Sequence, residues 1–306
     1  MFSLIKITCL SFFIFSSGMA AIAQDTSSIL PKTKKTDSLL SIYKKDTLVF
    51  YRPRFFKSMG HVPGNMYKIA LSPFKKNNWI GISAVAISSL LLIATDEDLL
   101  HFVRRTSDKI NLSPETNYKI LFKVGDTKII KIPKNINSAL YQIGEGGSSL
   151  LCAGGLWVYG KINKDLRALN TANDLTETFV TMGVTTQVIK RLTGRESPFV
   201  ATAAGGQWRP FPAISTYQKN TPSYDAFPSG HLATLMATVT VISSNYPEKK
   251  WIKPVGYTIM GLSAWAMMNT EVHWAGDYPL AIAIGYVAGK ITTLRHKKIK
   301  QPASIN

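Results

Sequence analysis

Apolar, helix-compatible segments dominate the chain after residue 76, and stretches rich in proline, glycine and lysine separate them. No strand-like alternation of comparable length competes with these segments. We therefore predict an all-α fold in which about six core helices form a bundle over residues 77–296. The helices are predicted near residues 78–95, 136–160, 172–192, 229–245, 254–270 and 277–294.

Two of the predicted helices approach the composition of a membrane span. Residues 79–95 and 254–270 carry no charge, and their length is close to that of a bilayer-spanning helix, about 17–25 residues. Residues 172–192 differ, since they include Asp174, Glu177 and five threonines. Because such side chains are costly in lipid, we expect this helix not to face lipid and the bundle to lie largely outside the membrane.

The N-terminus has the pattern of an export signal. Lys6 precedes an apolar run over residues 7–19, and residues 21–23 (Ala-Ile-Ala) have the small residues of a cleavage site. We predict a signal peptide over residues 1–23, with an uncleaved membrane anchor as the alternative. The protein is accordingly expected to be exported to the periplasm or cell envelope and to associate with the membrane.

The net charge is strongly positive, because 36 lysines and arginines stand against 18 acidic residues and give +18. Such an excess indicates an anionic partner. Much of it lies in a basic N-terminal segment, residues 24–76, and in a basic tail, residues 297–306. We interpret both as docking on an anionic membrane surface, with a solvated linker as the alternative for the first. The export signal argues against nucleic acid as a partner.

Four residues at two helix ends form a candidate phosphate site. Ser229 and Gly230 begin the fourth predicted helix, where unpaired backbone N–H groups and the helix dipole attract an anion. Ser229 is a favourable N-cap, and Gly230 would let an oxyanion approach the backbone. Lys190 and Arg195, at the end of the third predicted helix, would neutralise the charge of the phosphate.

Two histidines and an aspartate supply candidate chemistry. His273 and Asp277 are four residues apart, a spacing that a helical turn brings together. The carboxylate would fix one ring nitrogen and leave the other nucleophilic, while His231 would protonate a leaving oxygen. These residues suit phosphoryl transfer through a phosphohistidine, with no metal or other cofactor. A zinc site is the competing interpretation, but the sequence has no HExxH or CxxC pattern.

The order of these motifs resembles the type-2 phosphatidic acid phosphatase superfamily, which includes membrane lipid phosphatases, bacterial acid phosphatases and vanadium haloperoxidases. Its three signatures are K-x6-R-P, P-S-G-H and S-R-x5-H-x3-D. The first keeps Lys190 and Pro198, the second is complete at residues 228–231, and the third keeps His273 and Asp277. The resemblance covers roughly residues 78–294 and implies a helical core.

The resemblance also implies a role for each matching residue. His273 would be the nucleophile, Asp277 its orienting partner and His231 the general acid for the leaving group. The phosphate oxygens would be held by Lys190, Ser229 and Gly230.

Two arginines of the family pattern are missing from this chain. Ser197 stands at the arginine position of the first signature and Met267 at that of the third, where Ala266 also replaces the serine. Neither a hydroxyl nor a thioether can replace the two-pronged guanidinium contact with a phosphate. Arg195, two residues before Ser197, is predicted to take over this contact, with Arg191 and Arg209 as the weaker alternatives.

We predict a metal-independent phosphatase that hydrolyses a phosphomonoester or pyrophosphate of an anionic membrane lipid, or of another phosphorylated small molecule. The missing arginines leave two alternatives open. One is a catalytically degenerate envelope protein that binds lipid. The other is a vanadium-dependent haloperoxidase, against which a weakened anion site counts more heavily.

Overall fold

The structure, a computed structural model, describes residues 38–43, 46–124, 127–296 and 298–300. The predicted signal peptide, residues 1–23, lies outside the described residues, as do residues 301–306 of the predicted tail.

The described chain is mainly helical, which confirms the prediction of an all-α fold. Strands occur in two small sheets, a three-stranded antiparallel sheet in the order β1-β2-β5 and a β3-β4 hairpin. The elements in chain order are β1 Ser38–Tyr43, β2 Asp46–Tyr51, α1 Phe55–Met59, α2 Val62–Leu71, α3 Trp79–Ala94, α4 Asp96–Lys109, β3 Tyr118–Val124, β4 Thr127–Pro133, α5 Ile136–Gly144, α6 Gly146–Ile162, α7 Leu166–Thr193, α8 Ile214–Lys219, α9 Gly230–Asn245, α10 Ile252–Asn269, α11 Tyr278–Thr293 and β5 Lys298–Lys300.

Four of the predicted helices, now α3, α9, α10 and α11, begin and end within about two residues of their predicted bounds. The predicted helix at 136–160 is two helices, because the backbone of Glu145 is extended between α5 and α6. The predicted helix at 172–192 starts earlier, where the side chain of Asp165 accepts hydrogen bonds from the first backbone N–H groups of α7. Helix α4 was not predicted, since its strongly charged sequence carries only a narrow apolar stripe.

Helices α9 and α11 pack closely at the centre of the bundle, and α7 lies against both of them. Small residues permit this approach. A Cβ atom on Gly285 of α11 would lie 2.2 Å from the carbonyl oxygen of Ala233 on α9, and one on Gly289 would lie 2.9 Å from Thr240 Cβ. The start of α9, which carries the motif at residues 228–231, is therefore fixed against the helix that follows Asp277.

Helix α7 turns its polar side chains inward. Asp174 and Glu177 are buried and accept hydrogen bonds from asparagine amides of α9 and α2 at 2.8 and 2.6 Å. Its outward-facing residues include Val184, Val188 and Leu192, each between 42% and 48% exposed. The buried polar side chains of α7 thus do not prevent its outer surface from facing lipid. The expectation that the bundle lies largely outside the membrane was based on the polarity of this helix, and it loses that support.

Helix α3 presents large apolar side chains to its surroundings. Within the described ranges, Lys76–Ala94 is the one helical stretch that is long and apolar enough to cross a membrane. Its exposed residues include Trp79, Ile80, Ile87, Leu90 and Leu91. This outer surface is apolar rather than charged.

The packing of α9 against α11 predicts a strong effect of one added methyl group. Gly285→Ala should lower the free energy of unfolding by about 1–3 kcal/mol, because the new Cβ meets backbone that cannot move aside. Gly261→Ala on the exposed face of α10 is the control, since no atom lies within 4 Å of the Cβ it adds. There we expect a gain of about 0.5–1 kcal/mol. Denaturant unfolding of both variants checks this, and equal stabilities would contradict the packing.

Candidate active site

A pocket of about 570 Å³ opens between α5, α6, α7, the loop after α7 and the start of α9. Four residues predicted for the site line it, namely Lys190, Gly230, His231 and His273. The structure thus brings together residues from all three sequence motifs. Other lining residues include Tyr141, Phe179, Met182, Ser197, Phe199 and Asp225.

The two histidines face each other in the pocket. The ring of His273 lies edge-on to that of His231, with ring centroids 5.5 Å apart and an angle of 76° between the planes. Tyr141 covers His231 from the other side at 4.8 Å. Burial lowers the pKa of His231 well below its usual value, and the neighbouring His273 and Lys190 act in the same direction. His231 is therefore neutral in the free protein near pH 7.

Asp277 lies behind the ring of His273. A short 3₁₀ turn, Ala275–Asp277, brings its carboxylate back so that Oδ2 is 3.4 Å from His273 Nδ1. The same oxygen accepts a hydrogen bond from the backbone N–H of Trp274 at 2.9 Å. Its side chain is fully buried, so water does not compete for these contacts.

The start of α9 differs from the prediction in one respect. Ser229 is fully buried and does not line the pocket, so its predicted contact with phosphate is corrected. It serves as the N-cap of α9, where its Oγ accepts the Leu232 backbone N–H at 3.4 Å, and its own N–H donates to the Asp277 carbonyl at 3.0 Å. Gly230 does line the pocket, and a Cβ added to it would meet open space.

Positive charge is scarce in the pocket. Among the described residues that line it, Lys190 is the only lysine or arginine, and its Nζ lies 3.1 Å from Asp225 Oδ2 and also donates to the Asp225 carbonyl. Ser197 reaches the pocket but brings no charge. Met267 is fully buried, with its sulfur 3.8 Å from Ser229 Oγ. Neither missing arginine is therefore replaced at its own position.

The predicted role of Arg195 is also corrected. Its side chain is fully buried and does not line the pocket, so it cannot contact a phosphate bound there. Instead Nη1 donates to Asp277 Oδ1 at 2.8 Å and Nη2 donates to Asp96 Oδ2 at 2.5 Å. Nε and Nη2 also donate to the Gly205 carbonyl, at 3.1 and 2.7 Å. Arg195 thus stands behind Asp277 rather than beside the substrate.

The loop after α7 folds in a way that separates Lys190 from Arg195. Gly194 ends the helix in the left-handed conformation, with φ of 60°, and a Cβ there would lie 1.8 Å from a backbone carbonyl oxygen of the loop. The backbone of Arg195 then pairs with those of Trp208 and Asp225. As a result Lys190 projects into the pocket while Arg195 projects away from it.

Two acidic residues of the site were missed by the sequence analysis. Asp225 lies three residues before the motif at 228–231, so its position beside that motif was an available signal. Asp96 gave no signal, because its partner Arg195 is 99 positions away and helix α4 was not predicted.

Comparison with known proteins gives one match. The model of the PAP2 superfamily matches residues 172–301, a range that contains most of α7, all of α9, α10 and α11, and the residues Lys190, His231, His273 and Asp277. No curated protein and no solved structure matches the chain. The match confirms the resemblance inferred from the three motifs, and residues 172–301 are similar to the PAP2 superfamily.

Proposed function

We propose that the protein is a phosphatase that hydrolyses a phosphomonoester or pyrophosphate through a phosphohistidine at His273. Similarity to the PAP2 superfamily supports phosphatase-type activity in general. The observation that carries the finer proposal is the pair of histidines facing each other in the pocket, with Asp277 behind one of them. Lys190 is the cation placed to attract a phosphate there.

In the first step of the proposed reaction, Nε2 of His273 attacks the phosphorus atom. Asp277, beside Nδ1, keeps the ring proton on that nitrogen, so that the lone pair of Nε2 is free. A P–N bond forms and the P–O bond to the leaving group breaks. The leaving oxygen takes a proton from the protonated form of His231, which lies at the start of α9.

In the second step, a water molecule attacks the phosphorus atom and breaks the P–N bond. His231, now neutral, accepts a proton from that water, so phosphate and free His273 are restored. During both steps the phosphate oxygens are held by Lys190 and by the backbone N–H groups at the start of α9. The open space above Gly230 lets an oxygen come close to these N–H groups.

A substrate panel tests the proposed activity. The purified protein is incubated in EDTA with phosphatidic acid, an undecaprenyl pyrophosphate or p-nitrophenyl phosphate, and released phosphate is measured. His273→Ala should lower the rate about 10⁴-fold, because the nucleophile is lost. His101→Ala, at an exposed histidine outside the pocket, is the matched control and should retain full activity. Equal phosphate release by the wild type and His273→Ala would contradict the proposal, and lipid binding without hydrolysis would favour the degenerate alternative.

The lowered pKa of His231 predicts how activity depends on pH. An alkyl phosphate needs a proton on its leaving oxygen, whereas p-nitrophenolate leaves without one. The pKa of His231 lies below its usual value of 6.5, so the protonated fraction of His231 grows as the pH is lowered from 8 to 5. The ratio of kcat/KM for the alkyl ester to kcat/KM for the aryl ester should therefore increase as the pH is lowered over this range. Both substrates need His273 unprotonated, so the protonation of His273 affects both rates equally and does not change the ratio. After correction for phosphate ionisation, a flat ratio or one rising with pH would exclude His231 as the general acid.

We further propose that the substrate is a lipid phosphate. Apolar side chains on the outer surfaces of α3 and α7 would suit a membrane within reach of the pocket wall that α7 provides. Tyr141, Phe179 and Met182 give that pocket an apolar side suited to an acyl or prenyl chain. The basic segments at both ends of the sequence suit an anionic membrane surface.

Gly183 offers a test of lipid binding, because it lines the pocket on α7 and its Cβ would meet open space. Gly183→Leu should lower kcat/KM for phosphatidic acid about tenfold, since the new side chain occupies the apolar side, and should spare p-nitrophenyl phosphate. Gly154→Leu is the control, because its Cβ also meets open space on α6 outside the pocket. Equal losses for both substrates would show that the apolar side does not hold the lipid.

A further inference from the structure

One arginine connects two buried carboxylates behind the ring of His273. Arg195 donates to Asp277 and to Asp96 through different nitrogens, at 2.8 and 2.5 Å. The side chains of all three residues are at most 1% exposed. The rings of Trp208 and Trp274 lie 4.9 and 5.3 Å from the guanidinium carbon. Water is therefore excluded from both ion pairs, and their electrostatic effect is little screened.

Asp96 is attached to the catalytic turn as well as to Arg195. Its Oδ1 accepts the backbone N–H of Gly276 at 2.8 Å, and Gly276 directly precedes Asp277. A Cβ on Gly276 would lie 2.5 Å from Ile93 Cγ1 on α3 and 3.0 Å from Asp96 Oδ2 on α4, so only glycine lets the turn approach the junction of these helices this closely. Asp96 thus contacts both the arginine that binds the Asp277 side chain and the backbone of the turn that contains Asp277.

These contacts fix the carboxylate of Asp277 in one orientation. Oδ1 is held by Arg195 and Oδ2 by the backbone N–H of Trp274, and Oδ2 lies 3.4 Å from His273 Nδ1. We propose that Arg195 and Asp96 are positioning residues that set the orientation and charge of Asp277 and thereby the protonation of His273. Their importance for catalysis rests on the proposed function, while the electrostatic link to His273 does not.

The proposal predicts that a second substitution reverses the effect of the first. Asp96, Arg195 and Asp277 together carry one negative charge behind His273. Asp96→Asn removes that negative charge and should make His273 harder to protonate, while Asn keeps an acceptor for the Gly276 N–H. Adding Arg195→Gln leaves Asp277 alone and restores one negative charge, so the titration midpoint of His273 should return. The other charged or titratable groups near this cluster include His231, Lys190, Asp225, Glu145 and Tyr141 at the pocket, Lys131 paired with Glu145, Tyr278 beside Asp277, and Glu196, Arg209, Glu271 and Arg104 on the neighbouring loops and α4.

NMR of the full-length protein with ¹⁵N-labelled histidine measures the midpoint directly, since the chain has five histidines and His273→Gln assigns the signal. We expect Asp96→Asn to lower the midpoint by on the order of one pH unit and the double variant to restore it. Asp98→Asn is the control, because it removes the same charge from the exposed side of the same helical turn. Its midpoint should stay at the wild-type value.

Kinetics distinguish positioning from a purely structural role. With active sites titrated, Asp96→Asn should lower kcat for p-nitrophenyl phosphate about tenfold and leave KM within about twofold. If Asp96→Asn fails to fold, Arg195→Lys tests the same contacts, because lysine keeps the positive charge but loses one of the two guanidinium contacts with the carboxylates. We expect a similar loss of kcat in this variant and an unchanged titration midpoint of His273. Equal midpoints in Asp96→Asn and Asp98→Asn, or a full kcat in Arg195→Lys, would overturn the proposal. A shifted midpoint in a protein without phosphatase activity would overturn only the proposed function.

Discussion

The ion pairs of one buried guanidinium connect the parts of the chain on which the site depends. Arg195 follows the end of α7, Asp96 begins α4, and Asp277 closes the turn before α11. Burying such charges costs several kcal/mol for each ion. The cost is offset here because the arginine pairs with two carboxylates and a backbone carbonyl at once. These contacts fix the turn Ala275–Asp277, which directly follows the segment with His273, relative to α7, and α7 carries Lys190.

The rest of the pocket follows from this arrangement. With Arg195 committed to the carboxylates, Lys190 is left as the cation that faces a phosphate, and Asp225 opposes part of its charge. In the proposed reaction, backbone N–H groups at the start of α9 would therefore help to hold the anion. Although the chain carries a net charge of +18, most of that charge lies outside the pocket, where a membrane surface is the proposed partner.

The comparison of sequence and structure shows which features are locally encoded. Long apolar runs located α3, α9, α10 and α11, and the short motifs located His231, His273, Asp277 and Lys190. Ser229 and Arg195 were misassigned because a side chain's position in a motif does not determine the direction in which it points. That direction is set by tertiary contacts, such as those with Met267 and Asp96, which sequence spacing does not reveal. The inward-facing acids of α7 were misread for the same reason, since their partners come from other helices.

The central claim is that the reaction passes through a phosphohistidine at His273, and trapping that intermediate tests it most directly. The protein would be mixed with a ³²P-labelled aryl phosphomonoester, quenched in alkali and digested. We expect label on the peptide that contains His273, with more of it in His231→Ala, because this variant can form the intermediate from an aryl ester but cannot activate water to hydrolyse it. Label on a different residue, or turnover of the ester with no label in either protein, would contradict the account.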